Sequence, residues 1–371
     1  MHTIPTIRRF GRFNSVALAA LLTCAFSLLA CKGKKDETEL FDRGALLRHY
    51  AENLIQPANQ RFYDATLALG ADWASYRQAP TPANLSGLQA RWRDLMREWH
   101  LVSSFSFGPG GEAGLRKFLV EELGTFPISQ TKMENYIAAT DTAFNNFDRD
   151  TRGLLAIEYL LFARSQELAD DQRYQAYMTA LIHHLQREAR RVRDDWQSYA
   201  LAFENNKGTD AGSSISLLYN EFVRSYERIK NFKLGLPLGV RPGQTQPEPQ
   251  LVEGYYSGAS LTLIQSHLAA IQHIYMGTQP TLNKPGPGFR DYVNSATGGP
   301  ELVSATLAQW QNVLNAANAI PADVPLSDLI AQKHPSVEAL HTEMQKHTRF
   351  FKSDMSSLLG ISITFSSGDG D

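Results

Sequence analysis

Apolar residues recur every three or four positions along most of the chain, which is the spacing that places them on one face of an α-helix. A stripe of this kind runs from Ala83 to about Val102, where Thr81 and Pro82 form a helix-start signal. A second amphipathic helix is predicted from Asp171 to about Asn205. Strand-like alternation of useful length is absent, so the pattern predicts an all-α fold.

Weaker periodic patterns predict the remaining helices. Pro57 should kink or break the first of them, Glu39 to about Tyr76, because proline lacks a backbone donor and clashes with the preceding turn. Residues 361–365 are predicted to be coil. The other predicted helices lie near residues 112–122, 130–139, 215–232, 259–276, 300–319 and 337–359.

A polar, glycine-rich stretch at residues 205–214 indicates a domain boundary. It separates two helical halves, residues 39–206 and residues 213–365. A proline- and glycine-rich connector at residues 235–248 interrupts the second half. Two halves of similar size favour two four-helix-type bundles that pack with a cleft between them.

The N-terminus is typical of a bacterial lipoprotein signal peptide. Residues 1–30 combine an arginine-containing start with an apolar run that is too short to span a membrane comfortably as a permanent helix. The run ends in Leu-Leu-Ala-Cys, which predicts cleavage before Cys31 and lipidation of that residue. Residues 31–38 would form a short charged tether. We therefore expect a protein held in the bacterial cell envelope by lipid, at the outer membrane and facing either the periplasm or the cell surface.

Composition limits the chemistry that the mature chain can carry. Of the 371 residues, cleavage would leave 341 with Cys31 as their only cysteine, which excludes disulfides and cysteine-ligated metal sites. The signal removes three arginines from the 36 basic residues and none of the 38 acidic ones. The remaining 33 basic residues give a net charge of −5. Without a basic face, this charge argues against a nucleic-acid partner.

A mostly apolar stretch at residues 151–162 contains a single carboxylate, Glu158. Burying an unpaired carboxylate is costly, so this side chain should have a dedicated partner or lie at the mouth of a cleft. Two interpretations remain open: a paired carboxylate that fixes how two helices meet, or a ligand-binding group.

The same stretch resembles the signature segment of the imelysin-like (M75 peptidase-like) family, through Gly153-x-x-x-x-Glu158-Tyr-Leu-Leu-Phe. Weaker matching segments lie at residues 53–57, 107–109, 234–239 and 253–261. The resemblance implies an all-α fold of two bundles with a functional cleft at their interface. It also implies an exported bacterial protein linked to iron uptake, in a family with members described as metallopeptidases and related domains that bind iron, haem or polyanionic sugars.

Two positions depart from the family pattern. Leu155 occupies the place of the histidine in Gly-x-His-x-x-Glu, and Ser103 stands where an acidic residue is expected. Glu158 alone would be a weak metal site, and a catalytic zinc needs three protein ligands. We therefore predict no catalytic residues. The residues expected at a ligand-binding cleft are Gly153, Leu155, Glu158, Trp99, Ser103, Phe107, Glu253 and Ser257.

The ligand class follows only from the resemblance, which leaves iron, an iron chelate and haem as equal possibilities, with iron-uptake proteins as partners. Two alternatives stay open. One is a structural or interaction lipoprotein that has lost its ancestral metal site and works through partner proteins. The other is a metallopeptidase.

Overall fold

A computed structural model describes residues 41–113, 115–278 and 285–365, together with His2. Apart from His2, the predicted signal peptide, Cys31, the tether and the C-terminal tail lie outside the described residues. The chain divides into Met1–Phe41 and a compact unit, Asp42–Asp371, and the description below concerns this second unit.

Of the described residues, 72% are helical, and together they form thirteen helices and no β-strand. The prediction of an all-α fold is therefore confirmed. Helix α1 joins Arg43–His49, a π-helical turn at Tyr50–Ile55, and Gln56–Gln78. The other helices of the first half are α2 (Pro82–Ser103), α3 (Leu119–Gly124), α4 (Gln130–Ala138), α5 (Leu154–Glu158, continued by a π-helical turn at Tyr159–Ala163), α6 (Ser165–Asp170) and α7 (Gln172–Asn205).

The second half begins with α8, which joins Ser214–Arg228, a π-helical turn at Ile229–Gly235, and Leu236–Leu238. It ends with α13, which joins Pro335–Arg349, a π-helical turn at Phe350–Met355, and Ser356–Leu359. Between them lie α9 (Ser260–Met276), α10 (Phe289–Asn294), α11 (Gly299–Asn318) and α12 (Leu326–Ala331).

The first bundle is built on α1, α2 and α7, with α1 packed against both of the others. Its core holds fully buried aromatic side chains, and Phe62 of α1 lies 5.4 Å from Trp99 of α2 between ring centroids. The predicted start of α2 is confirmed, because the Thr81 hydroxyl accepts the backbone N–H of Asn84 at 3.2 Å. This bond satisfies one of the free donors of the first helical turn.

The second bundle is built on α8, α9, α11 and α13. Its core centres on Phe351, which contacts Phe222 at 4.8 Å and His347 at 4.5 Å between ring centroids. Helix α9 also packs along α2, and this contact joins the two bundles. At this contact, His100 of α2 stacks on His267 of α9.

Pro57 does not break the first helix, although a break was one of the two outcomes that the sequence predicted for it. The helix widens into the π-helical turn just before the proline, and the N–H of Gln56 bonds to the carbonyl of Ala51, five residues back. The proline then falls within the first two positions of the next α-helical segment, where a missing N–H costs little.

The irregular parts of the chain also differ in places from the pattern-based prediction. The helix predicted at residues 112–122 begins only at Leu119, and Ala113 and Arg116 before it form an isolated bridge. The short helices α6, α10 and α12 were not predicted. In the described part of the chain, no helix is both long and apolar enough to cross a membrane.

Candidate functional site

Helix α5 starts at Gly153, and its backbone geometry requires glycine. The residue has φ +83°, and a Cβ atom there would lie 2.4 Å from the carbonyl oxygen of Leu123. The indole N–H of Trp92 donates to the carbonyl of Leu154 at 2.9 Å, which ties the first turn of α5 to α2. These contacts fix the direction of α5 and place Glu158 at its end, beside the second half of the chain.

Glu158 is buried, with 2% of the residue exposed. Its Oε1 accepts the backbone N–H of Ser257 at 2.8 Å, and within the described residues it forms no ion pair. Burial raises the pKa of Glu158 to about 7, against the hydrogen bonds from Ser257 and with a further push from the charge of Glu253. The carboxyl is thus held by a neutral donor instead of a cation.

The donor to Glu158 belongs to a short segment, Glu253–Ser257, that lies just before α9. Gly254 has φ +75° and Gly258 has φ +66°, so glycine is favoured at both. The hydroxyl of Ser257 closes the turn by donating to the carbonyl of Gly254 at 3.2 Å. The Glu253–Ser257 segment therefore carries one buried carboxylate at its start and the partner of another at its end.

Glu253 is also buried, but it has charged partners. Its Oε2 lies 2.5 Å from Nζ of Lys233 and 3.5 Å from Nε2 of His100. Burial alone would raise the pKa of Glu253, but Lys233 and His100 lower it to about 2. Glu253 is therefore an ionised carboxylate paired with Lys233.

Two imidazoles stack beside this ion pair. The rings of His100 and His267 lie 5.0 Å apart at an interplanar angle of 8°. Burial and the charge of Lys233 lower the pKa of His100 to about 4 and the pKa of His267 well below its usual value. Both shifts favour the neutral form of the imidazole. Nε2 of His267 lies 2.8 Å from the Ser225 hydroxyl, which in turn lies 2.7 Å from that of Ser104.

A cavity of about 470 Å³, here called the large cavity, opens beside Glu253. Its volume falls within the range of roughly 300–1,000 Å³ that is usual for small-molecule sites. Its lining comes from α2, α3, α8 and α9 and from the segments that follow α3, α8 and α13: Trp99, Ser103, Val120, Glu121, Gly124, Thr125, Phe126, Arg224, Glu227, Arg228, Asn231, Phe232, Lys233, Arg241, Glu253, His267 and Phe365.

Three arginines of the large cavity differ in how they are paired. Arg224 and Arg228 both bind the buried Glu221, at 3.0 and 2.7 Å. Arg241 stacks over the ring of Phe232, with its guanidinium carbon 4.3 Å from the ring centroid. Among the described residues, no carboxylate forms an ion pair with the Arg241 guanidinium. Arg241 is thus a cation that a negatively charged ligand could neutralise.

A second cavity of about 180 Å³, here called the Glu158 cavity, lies on the other side of the Glu253–Ser257 segment. Phe126 lines both cavities. The wall of the Glu158 cavity is formed by Phe126, Pro127, Ile128, Gln130, Leu155, Glu158, Gln250, Leu251, Val252, Gly254, Tyr255 and Tyr256.

The residues expected at the cleft fall into four places. Trp99, Ser103 and Glu253 line the large cavity, whereas Leu155 and Glu158 line the Glu158 cavity and Ser257 donates to Glu158. Gly153 sets the start of α5. Phe107 lines neither cavity, because its ring packs between α7 side chains, 5.6 Å from Trp196 and 5.8 Å from Phe203.

Several residues of the site were not found from the sequence, namely His100, His267, Lys233, Arg228 and Arg241. Lys233 carries no distinct local signal, because the polar residues Lys230 and Asn231 stand close before it in the sequence. The histidines give no such signal, because their neighbour across the bundle contact is more than 160 positions away in sequence.

A bare metal ion finds few protein donors here. Across residues 41–113, 115–278 and 285–365, no three side chains of His, Cys, Asp or Glu are grouped as a metal site would require. Glu158 stands beside Leu155, which cannot ligate a metal. The Glu253 carboxylate, which lies near His100, is already paired with Lys233. The buried charges of the site are therefore arranged around hydrogen bonds and ion pairs.

Comparison with known proteins bears on the fold and the family of the chain. The chain aligns with the iron-regulated protein A of Synechococcus elongatus at 23% identity, over 65% of this chain and 66% of that relative, just under two thirds of its length. Two solved structures share the fold at a TM-score of 0.70 each. One is described as an iron-regulated protein A precursor from Parabacteroides distasonis, with 15% identity, covering 85% of this chain and 95% of that one. The other is an imelysin-like protein from Psychrobacter arcticum, with 17% identity and coverage of 87% and 97%. The imelysin family profile matches residues 55–349, and the chain therefore belongs to the imelysin family.

Proposed function

We propose that this imelysin-family protein is a non-catalytic, lipid-anchored component of the bacterial cell envelope that binds an iron complex in its large cavity. The name of its cyanobacterial relative, iron-regulated protein A, supports an iron-related role. The N-terminal sequence supports export and lipidation at Cys31. Its partners would be other iron-uptake proteins of the envelope.

The ligand assignment rests on the position of Arg241 and on its lack of a carboxylate partner among the described residues. This guanidinium lies at the large cavity, stacked on the partly exposed ring of Phe232, and has no carboxylate partner among the described residues. An arginine of this kind suits a ligand with carboxylate oxygens, because its planar fork of donors matches their geometry. The neighbouring indole of Trp99 and ring of Phe126 offer apolar surface for the rest of such a ligand.

The donor set favours an iron complex over a bare ion. Ferric iron is a hard cation that takes oxygen ligands, and the described residues offer it no group of three acidic or histidine side chains. A chelator would bring those oxygens with it, together with negative charge. The protein would then recognise the chelator's charge and shape, and the metal would need no ligand from the chain.

Calorimetric titration of the purified full-length protein with ferric citrate, iron-free citrate and haemin tests this function. We expect ferric citrate to bind, with iron-free citrate at least tenfold weaker. Arg241→Ala should weaken ferric citrate binding by about tenfold or more, the usual loss for a hydrogen bond to a charged group. Arg190→Ala is the matched control, since the Arg190 side chain is 68% exposed on α7 and does not line the cavity.

Other outcomes would point elsewhere. Equal binding of citrate with and without iron would remove the iron complex from the proposal, and tight binding of haemin alone would reassign the ligand. Absence of binding by all three would favour a structural or interaction lipoprotein. Cleavage of a protein substrate that EDTA abolishes would favour a metallopeptidase.

A further inference from the structure

The Glu158 cavity has a charge character of its own. Glu158 is the only acidic residue in its wall, and none of the described lining residues is Lys, Arg or His. The carboxyl is held by neutral donors, among them the backbone N–H of Ser257 at 2.8 Å, and forms no ion pair in the described part of the chain. A buried carboxylate without a cation is costly, and a positively charged occupant of the cavity would remove that cost.

The walls beside the carboxyl are aromatic. Tyr255 and Tyr256 stand edge-to-face with ring centroids 5.3 Å apart, and Phe126 completes this side of the cavity. The negative faces of aromatic rings attract organic cations within about 6 Å. The hydroxyl of Tyr256 accepts the side-chain N–H of Gln130 at 2.6 Å, which holds the ring in place.

The volume and the lining of the Glu158 cavity indicate which kind of cation would fit it. The volume of about 180 Å³ is well below the roughly 300 Å³ at which drug-sized ligand sites begin. Leu155, Ile128 and Leu251 give the cavity apolar surface, which suits an alkyl stem and gives a hydrated metal ion nothing to bind. A short alkyl chain with a terminal ammonium group matches both features.

We propose that the Glu158 cavity is a binding site for a small organic ammonium group, which Glu158 pairs with and the rings of Tyr255, Tyr256 and Phe126 surround. The site is separate from the proposed iron-complex site, because the Glu253–Ser257 segment lies between the two cavities. The ammonium group can come from a free amine or from the lysine side chain of a partner protein, since Tyr255 is 43% exposed and leaves the cavity wall open to solvent.

The test is a titration of the full-length protein at pH 8 with n-butylammonium, followed by ligand-observed NMR, with 1-butanol and butyrate as matched probes. We expect n-butylammonium to bind at least tenfold more tightly than 1-butanol and butyrate not to bind. Glu158→Gln should weaken n-butylammonium on the order of a hundredfold, because the charge partner is lost while the acceptor for the Ser257 N–H remains.

A second variant separates the aromatic contribution. Tyr255→Leu removes one ring at an exposed position and should weaken n-butylammonium a few-fold without changing 1-butanol binding. Glu122→Gln is the control, since Glu122 is a buried carboxylate paired with Arg149 and Arg152 away from the cavity wall. It should leave the n-butylammonium affinity unchanged in protein whose thermal unfolding shows that it is folded.

A blocked lysine tripeptide distinguishes the two sources of the ammonium group. Binding of the tripeptide as well as n-butylammonium would point to a lysine of a partner protein, and binding of n-butylammonium alone would point to a free amine. The proposal is overturned if 1-butanol binds as tightly as n-butylammonium, if Glu158→Gln leaves the affinity unchanged, or if n-butylammonium does not bind. Failure of the ferric citrate titration would leave this result unaffected.

Discussion

Replacing Glu158 by glutamine should make the protein more stable at alkaline pH, although it alters a buried residue. The folded protein raises the pKa of this carboxyl from 4.5 to about 7, with burial as the largest cause. The folded state therefore favours the neutral acid, and ionisation costs stability as the pH rises from about 4.5 to about 7. The corresponding free energy is about 3 kcal/mol, fully expressed at pH 8.

Glutamine keeps the shape of the side chain and an acceptor oxygen for the Ser257 N–H, but it stays neutral at every pH. Relative to the wild type, Glu158→Gln should gain up to about 3 kcal/mol in free energy of unfolding at pH 8 and nothing at pH 4. Urea denaturation of both proteins at intervals between pH 4 and pH 9 measures this difference, with the slope m compared to confirm the same unfolding reaction.

Glu122→Gln is the control, because it should change the free energy of unfolding at pH 8 in the opposite direction. Burial would raise the pKa of Glu122, but hydrogen bonds from the Lys117 N–H and from the guanidinium groups of Arg149 and Arg152 lower it below the usual value. Ionised Glu122 therefore stabilises the fold above its unfolded pKa, and this contribution is lost as the pH falls. Glu122→Gln should be destabilising at pH 8. The reasoning about Glu158 fails if its glutamine variant is less stable than the wild type at pH 8, or if the difference does not change with pH.

Three further predictions address the rest of the site and the anchor. Gly153→Ala should lower the free energy of unfolding by about 2–4 kcal/mol, because of its positive φ and the close approach to Leu123, and an unchanged urea midpoint would contradict this. Lys233→Met should cost about 3–5 kcal/mol at pH 8 by leaving the charge of Glu253 uncompensated, with a smaller loss near pH 4 as that carboxyl protonates. Cys31→Ser should abolish incorporation of radiolabelled palmitate in cells, and retained label would show that the anchor lies elsewhere.

The long helices could be predicted from the sequence because their apolar stripes repeat over many turns. The pattern gave residues 83–102 and 171–205 for helices that span Pro82–Ser103 and Gln172–Asn205. The helices α6, α10 and α12 have six residues each, which is less than two turns and too short to show a period. Likewise, the π-helical turn before Pro57 leaves no periodic mark, so the sequence predicts a kink or a break where the helix continues.

The candidate site was predictable only where local sequence carries a signal. Glu158 stood out as a lone carboxylate in an apolar run, and the structure gives it a neutral partner and a place in a cavity wall. The partners of Glu253 could not be found in this way, because Lys233 and His100 reach it from helices of different bundles. Pairing between distant segments depends on how the bundles pack, which no single stretch encodes.

The Glu253–Ser257 segment accounts for the difference between the two cavities. At its start, Glu253 is ionised and paired with Lys233. Arg241 of the large cavity stacks on Phe232 and forms no ion pair with a carboxylate of the described residues, so it can bind an anion. At its end, the backbone of Ser257 holds Glu158 without neutralising it, so the smaller cavity keeps an unbalanced carboxyl. One short segment thus separates a cavity suited to anions from a cavity suited to cations. Because both depend on its position, a ligand that displaced the segment from one cavity would also change the affinity of the other.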